Sequence, residues 1–371
     1  MPRLITPRRA KWAVAVAAGS VLWTAGVAHA DKPVGGTTPA PGGGDGQQNA
    51  ADGRTLLASV SQSRIQVTYP DGRTGSGSME DLTSVDPDWD PPVCWYEPAF
   101  TPEELKSAVA NLKKNGGLGA VNAHEFWTSG IFVDHYEEGE EQDNFDVNSS
   151  KNTMAKGYKD YNTGKDGMFW RSVVRKGHED DTKAWDCGRV MFWQDAGTIP
   201  DDEHAPTPET LAAYAYDQID VPKTEVELKP RTKSTVNLPT WVWLDKGTFK
   251  DVKVRAELPN TGLWAETTAK PVALHLDPGT ADAETFPASG DCEINADGSI
   301  GTPYAKGKSD ETPPCGIRYL RASDGQPYQL KASITWDISW QGTGGAAGDL
   351  PDGTFETTQD MDVQEIQSIN R

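Results

Sequence analysis

Cysteine is scarce in this chain, four residues in 371, and none precedes Cys94. That excludes a lipid-modified cysteine near the N-terminus. No CxxC pair and no Cys/His spacing of a zinc site occurs, so neither a metal nor a cofactor is expected. Basic charge is also in deficit: 35 Lys and Arg stand against 55 Asp and Glu, for a formal charge of −20. Such a surface repels phosphate backbones and anionic headgroups, so nucleic-acid and membrane-surface partners are not expected. Long apolar runs are missing after Ala28, which argues against a membrane span. There is no GxGxxG and no internal repeat.

The N-terminal segment has the pattern of an export signal. Arg3, Arg8, Arg9 and Lys11 precede an almost uncharged run from Trp12 to Ala28, and Ala28-His29-Ala30 is a small-x-small cleavage site. Residues 1–30 are thus expected to be removed and the mature chain to be secreted and extracellular. The Arg8-Arg9 pair leaves the twin-arginine route open beside the general one. In an exported chain, Cys94, Cys187, Cys292 and Cys315 read as two disulfides. Several connectivities are open, and pairing within regions, Cys94 with Cys187 and Cys292 with Cys315, is the simplest.

Residues 31–60 are rich in Gly, Pro, Thr, Asn and Gln and read as a disordered tether. Residues 61–221 read as an α+β domain. Arg64 to Tyr69 alternates like a strand, and Thr101-Pro-Glu-Glu104 opens a helix with a capping box and an apolar face at Leu105, Val109 and Leu112. A second helix starts at Thr207-Pro-Glu209, and short strands are expected around Trp170–Val174 and Arg189–Trp193. Residues 222–371 read as an all-β, Ig-like sandwich. Val252, Val254 and Ala256 alternate with polar neighbours, as do Val272, Leu274 and Leu276. Tyr328, Leu330, Ala332, Ile334, Trp336, Ile338 and Trp340 form an unbroken period-two series, and Val363, Ile366 and Ile369 suggest a last strand with a bulge.

Five fragments approach known signatures and fail on context. Gly301 to Ser309 has the wrong glycine spacing for a phosphate loop and runs into Pro313-Pro314 instead of a helix. His124-Glu125-Phe-Trp-Thr128 lacks the second histidine of a zinc-protease helix, so His135 serves only from another element. Glu293 to Tyr304 lacks the bidentate glutamate of a calcium loop, and Asp297-Gly298 reads as a hairpin turn. Leu258-Pro-Asn-Thr-Gly262 spells a sortase signal far from the C-terminus and reads as a strand end. Tyr161 to Lys165 has a reductase Tyr/Lys spacing without the dinucleotide fold. The acids from Asp134 to Asp146 read as a solvated loop. Trp95, Tyr96, Trp127, Trp170, Trp185 and Trp193 read as core before sugar-stacking face.

Four blocks, Pro91–Pro98, Val236–Asp245, Asp291–Tyr304 and Ile334–Gly345, give the chain a resemblance to a family of exported actinobacterial, streptomycete-type proteins of uncharacterised function. That resemblance brings no catalytic residues. The expectation is a secreted protein with a binding role toward a cell-envelope component or another secreted protein. The alternative is a secreted hydrolase or metal-dependent enzyme whose candidates are His124, Glu125 and His135.

Overall fold

The computed structural model describes residues 63–70, 79–114, 133–143, 154–222, 226–244 and 250–366. They are mostly β, with one curled antiparallel half-barrel sheet and several smaller sheets. Toward one side of the half-barrel lies a hairpin of two long strands, Tyr328–Gly342 and Ala347–Gln364. In the first strand Leu330, Ala332, Ile334, Trp336 and Ile338 are buried and their neighbours face outward, because successive side chains of a strand point to opposite faces. Glycines at 344 and 345, both at positive φ, reverse the chain between the two.

The same strand pairs on its other side with Leu263–Asp277, which pairs in turn with Val252–Leu258. Gln66–Thr68 adds antiparallel to Val252–Leu258 at that edge. The Leu258 to Gly262 fragment is the turn between two of these strands, with Asn260 and Gly262 at positive φ. A register shift between Pro271 and Ala273 leaves Val272 exposed while Leu274 and Leu276 stay buried.

A second, five-stranded sheet contains Glu227–Lys229, Pro239–Leu244, Gly316–Tyr319 and Ala283–Phe286, with Ile300–Gly301 beside it. Helix Pro208–Tyr216 is held at its start by a reciprocal bond set between Thr207 and Thr210. It buries Leu211, Ala212 and Ala215 in one core with Leu274, Trp336, Val242 and Ile317.

A three-stranded sheet joins Cys94–Phe100, Gly167–Val174 and Phe192–Asp195. Helix Pro102–Lys114 packs beside it and begins with the expected capping box: Glu104 N donates to Thr101 Oγ1 at 3.2 Å, and Thr101 N donates to Glu104 Oε2 at 2.8 Å. Leu105 and Val109 pack on Phe100, Tyr136 and Phe169. The disulfides join Cys94 to Cys187 and Cys292 to Cys315, the within-region pairing. They suit an oxidising compartment. Among the described residues, no helix is long and apolar enough to cross a membrane.

Candidate functional site

Strand Ala347–Gln364 is paired along one side with Tyr328–Gly342, and along the other, among the described residues, only near its middle and at its C-terminal end. Thr83 and Ser84 pair with Thr354 and Gly353. Lys233–Thr235 runs parallel to Asp362–Gln364. Between these short neighbours, Phe355 to Met361 has no outer strand partner among the described residues. At about 3.4 Å per residue in an antiparallel ladder, the gap spans about 24 Å.

The direction of the main-chain groups in this gap follows from its two ends. Asp362 N donates outward to Thr232 O at 2.9 Å, and Asp352 O accepts outward from Val85 N at 2.9 Å. In an antiparallel strand both backbone groups of a residue face the same neighbour, and the facing alternates along the chain. Glu356, Thr358 and Asp360 therefore turn their N–H and C=O groups out into the gap. Phe355, Thr357 and Gln359 keep theirs in the ladder with Tyr328–Gly342, opposite Ile334, Ala332 and Leu330.

A groove of about 750 Å³ lies along this edge. Its apolar lining is Val226, Leu228 and Phe355, and Thr357, Thr358 and Gln359 add polar surface. Phe355 is half-buried and packs on the main core, as does Val226. The charged lining is Glu80, Glu227, Glu356 and Arg231, three acids to one base. Gln359 Nε2 donates to Arg231 O at 3.1 Å across the end nearest Lys233–Thr235. Glu356 also meets Lys331 at 3.2 Å on the sheet face, both side chains about half exposed. The arrangement offers a row of backbone donors and acceptors, a partly apolar floor and a negative rim.

Of the histidine-centred candidates, His124 and Glu125 lie outside the described residues. His135 is fully buried. Its Nδ1 lies 2.8 Å from Glu140 O, a bond that needs the proton on Nδ1 and leaves Nε2 as a bare acceptor. That Nε2 has no hydrogen-bond partner among the described residues. The ring stands edge-on to Tyr136 and Tyr158, with centroids 4.5 and 5.3 Å away. Burial pulls the His135 pKa down and the Glu140 carbonyl only partly restores it, so the imidazole is neutral. The structure brings His135 no carboxylate and no second ligand among the described residues.

The remaining fragments sit as follows. Glu137 in the acidic segment accepts from Lys113 Nζ at 2.6 Å and from Tyr161 OH at 2.8 Å, and these bonds lower its pKa. Lys165 donates to Asn162 Oδ1 at 2.8 Å, far from a reductase helix pair in role. Gly301 to Ser309 opens no helix, and Lys308 instead lies over the Trp241 ring at 5.9 Å. Asp297 accepts from its own turn at Ser299. Trp95, Tyr96 and Trp170 are buried in the core, Trp193 is half-buried, and Trp127 lies outside the described residues. Sequence reasoning missed the groove because its donors are main-chain groups, which no side-chain motif announces. No protein family, curated protein or solved structure matches the chain.

Proposed function

We propose that this is a secreted, extracellular binding protein that holds an extended, basic segment of a cell-envelope component or another secreted protein as an added strand along Phe355 to Met361. The observation that carries the reading is the outer side of that strand, unpaired among the described residues, beside the 750 Å³ groove. Strand addition draws its affinity from main-chain hydrogen bonds and its selectivity from the pockets that receive alternate side chains. Here the outward groups of Glu356, Thr358 and Asp360 supply the first, and Leu228 and Phe355 supply the second. The excess of glutamate on the rim favours lysine or arginine in the occupant. Two disulfides support work in an oxidising compartment. The N-terminal signal pattern points the same way.

The test is a pull-down with residues 31–371 from the envelope and medium of the source organism, run beside Thr358→Pro. Proline at an outward-facing edge position removes one N–H from the gap and leaves the ladder to Tyr328–Gly342 intact. The variant is expected to fold normally and to bind the captured partner at least about fivefold more weakly, the equivalent of one hydrogen bond of about 1 kcal/mol. Capture of nothing from either fraction, or equal capture by both proteins, rejects the reading.

A second reading, a secreted hydrolase or metal-dependent enzyme, rests on the His135 Nε2, which has no hydrogen-bond partner among the described residues. It requires His124 or Glu125 to act with His135. Metal content and any hydrolytic activity that survive His124→Ala, Glu125→Ala and His135→Ala unchanged dispose of it.

A further inference from the structure

We propose that Cys94, Cys187 and His204 form a zinc site when the Cys94–Cys187 disulfide is reduced. The two sulfurs and a ring nitrogen of His204 all lie within 4.8 Å of one another, and no other His, Cys and acid group among the described residues is so close. Two zinc–sulfur bonds of about 2.3 Å in tetrahedral geometry set the sulfurs about 3.8 Å apart. Side-chain rotation provides that separation without moving the backbone, since the two Cα atoms are 6.1 Å apart.

The backbone around the three residues is already fixed. Tyr96 N donates to His204 O at 3.1 Å, which ties the histidine segment to the strand carrying Cys94. Asp202 Oδ1 stands 3.6 Å from His204 Nδ1, and Asp202 is itself held by Arg189 at 2.8 Å. A carboxylate behind a ligating histidine orients the ring. Two of the three ligands, Cys94 and His204, line a pocket of about 270 Å³ that is open to solvent. Water from that pocket would complete the fourth position.

The chemistry balances with a dithiol as reductant. The protein cystine takes up two electrons and two protons, and the dithiol becomes a disulfide. Zinc binding then releases the two protons as the thiols ionise. Oxidation reverses both steps and expels the ion, so the pocket holds either a disulfide or a zinc and reports the redox state around it.

The experiment uses residues 31–371 reduced with a phosphine, which does not compete for the metal as a dithiol does, and titrated with zinc and then with cobalt(II) as a spectroscopic probe. The expected result is one tight zinc per chain and thiolate-to-cobalt charge-transfer absorption, both absent from the oxidised protein. Cys94→Ser/Cys187→Ser, which keeps the Cys292 and Cys315 thiols, loses both signals. His204→Ala weakens zinc binding by at least about a hundredfold, the upper end of what outer-shell losses cost. If reduction loosens the fold, circular dichroism recovers on adding zinc to the parent and not to the double variant. No stoichiometric zinc in the reduced parent, or unchanged binding in either variant, overturns the proposal.

Discussion

Asp362 N donates to Thr232 O at 2.9 Å, and with that bond the strand Ala347–Gln364 regains an outer partner after seven residues that have none among the described residues. An exposed strand edge is a liability that proteins usually blunt with charge, bulges or a covering segment. Here the edge is short, bordered by Glu80, Glu227 and Glu356, and set into a groove. Negative charge on the rim discourages a second acidic copy of the same chain and leaves room for a basic strand.

Glu97 is expected to be the most sensitive single carboxylate for folding. It is fully buried and accepts from Ser63 Oγ at 2.6 Å, Arg64 N at 2.6 Å and Trp95 Nε1 at 2.7 Å. It also stands opposite Arg171, whose pKa burial lowers to about 10 while the Glu97 charge acts to raise it. Glu97→Gln keeps the shape and removes the charge, and is expected to cost about 3 kcal/mol, the range for breaking a buried pair. Urea unfolding checks it: the midpoint falls with little change in slope.

Stability is expected to decline as pH falls from 7 to 5, in part through His135. Its folded pKa is below the ordinary 6.5, so the unfolded chain binds the proton more readily than the folded one. The contribution is complete above the unfolded pKa and is lost on acidification through it, at up to about 1.4 kcal/mol per pH unit. In His135→Asn the same pH series of unfolding free energies is flatter in this window. An equally steep series in the variant contradicts the assignment.

The two disulfides are expected to stabilise unequally. Their sequence separations are 93 for Cys94–Cys187 and 23 for Cys292–Cys315. In the loop-entropy account these correspond to about 4.6 and about 3.4 kcal/mol. Replacing each pair by alanine and comparing denaturant midpoints gives the larger loss for the first.

Much of the fold was legible where one face of an element must be apolar. Tyr328 to Trp340 alternates without a break and is a half-buried strand of that register. Thr101 and Thr207 announced both helix starts through their side-chain oxygens. Ala347–Gln364 was not legible. Its sequence is mainly Gly, Asp, Glu and Thr, because one face meets solvent and much of the other meets the groove. The expected terminal strand through Val363, Ile366 and Ile369 stops at Gln364. Ile366 is 77% exposed, and Ile369 lies outside the described residues. The parallel pairing of Lys233–Thr235 likewise leaves no local signal, since it joins segments distant in sequence. The candidate site inherits that silence: outward N–H groups at 356, 358 and 360 depend on register alone.

Thr358→Pro separates recognition from folding. Thr358 is exposed and its N–H faces the gap, so proline there takes no hydrogen bond from the ladder and the variant is expected to stay folded. A thermal melt that moves little, together with weakened partner capture, meets the expectation. A large loss of stability shows that the N–H was already bonded.

The most direct measurement is amide hydrogen exchange, residue by residue, along Phe355 to Met361 in the free protein. Alternation is expected: Glu356, Thr358 and Asp360 exchange fast, while Phe355, Thr357 and Gln359, bonded to the neighbouring strand, exchange slowly. Uniformly slow exchange across all six amides contradicts it, because the edge is then already occupied and no strand remains to be added.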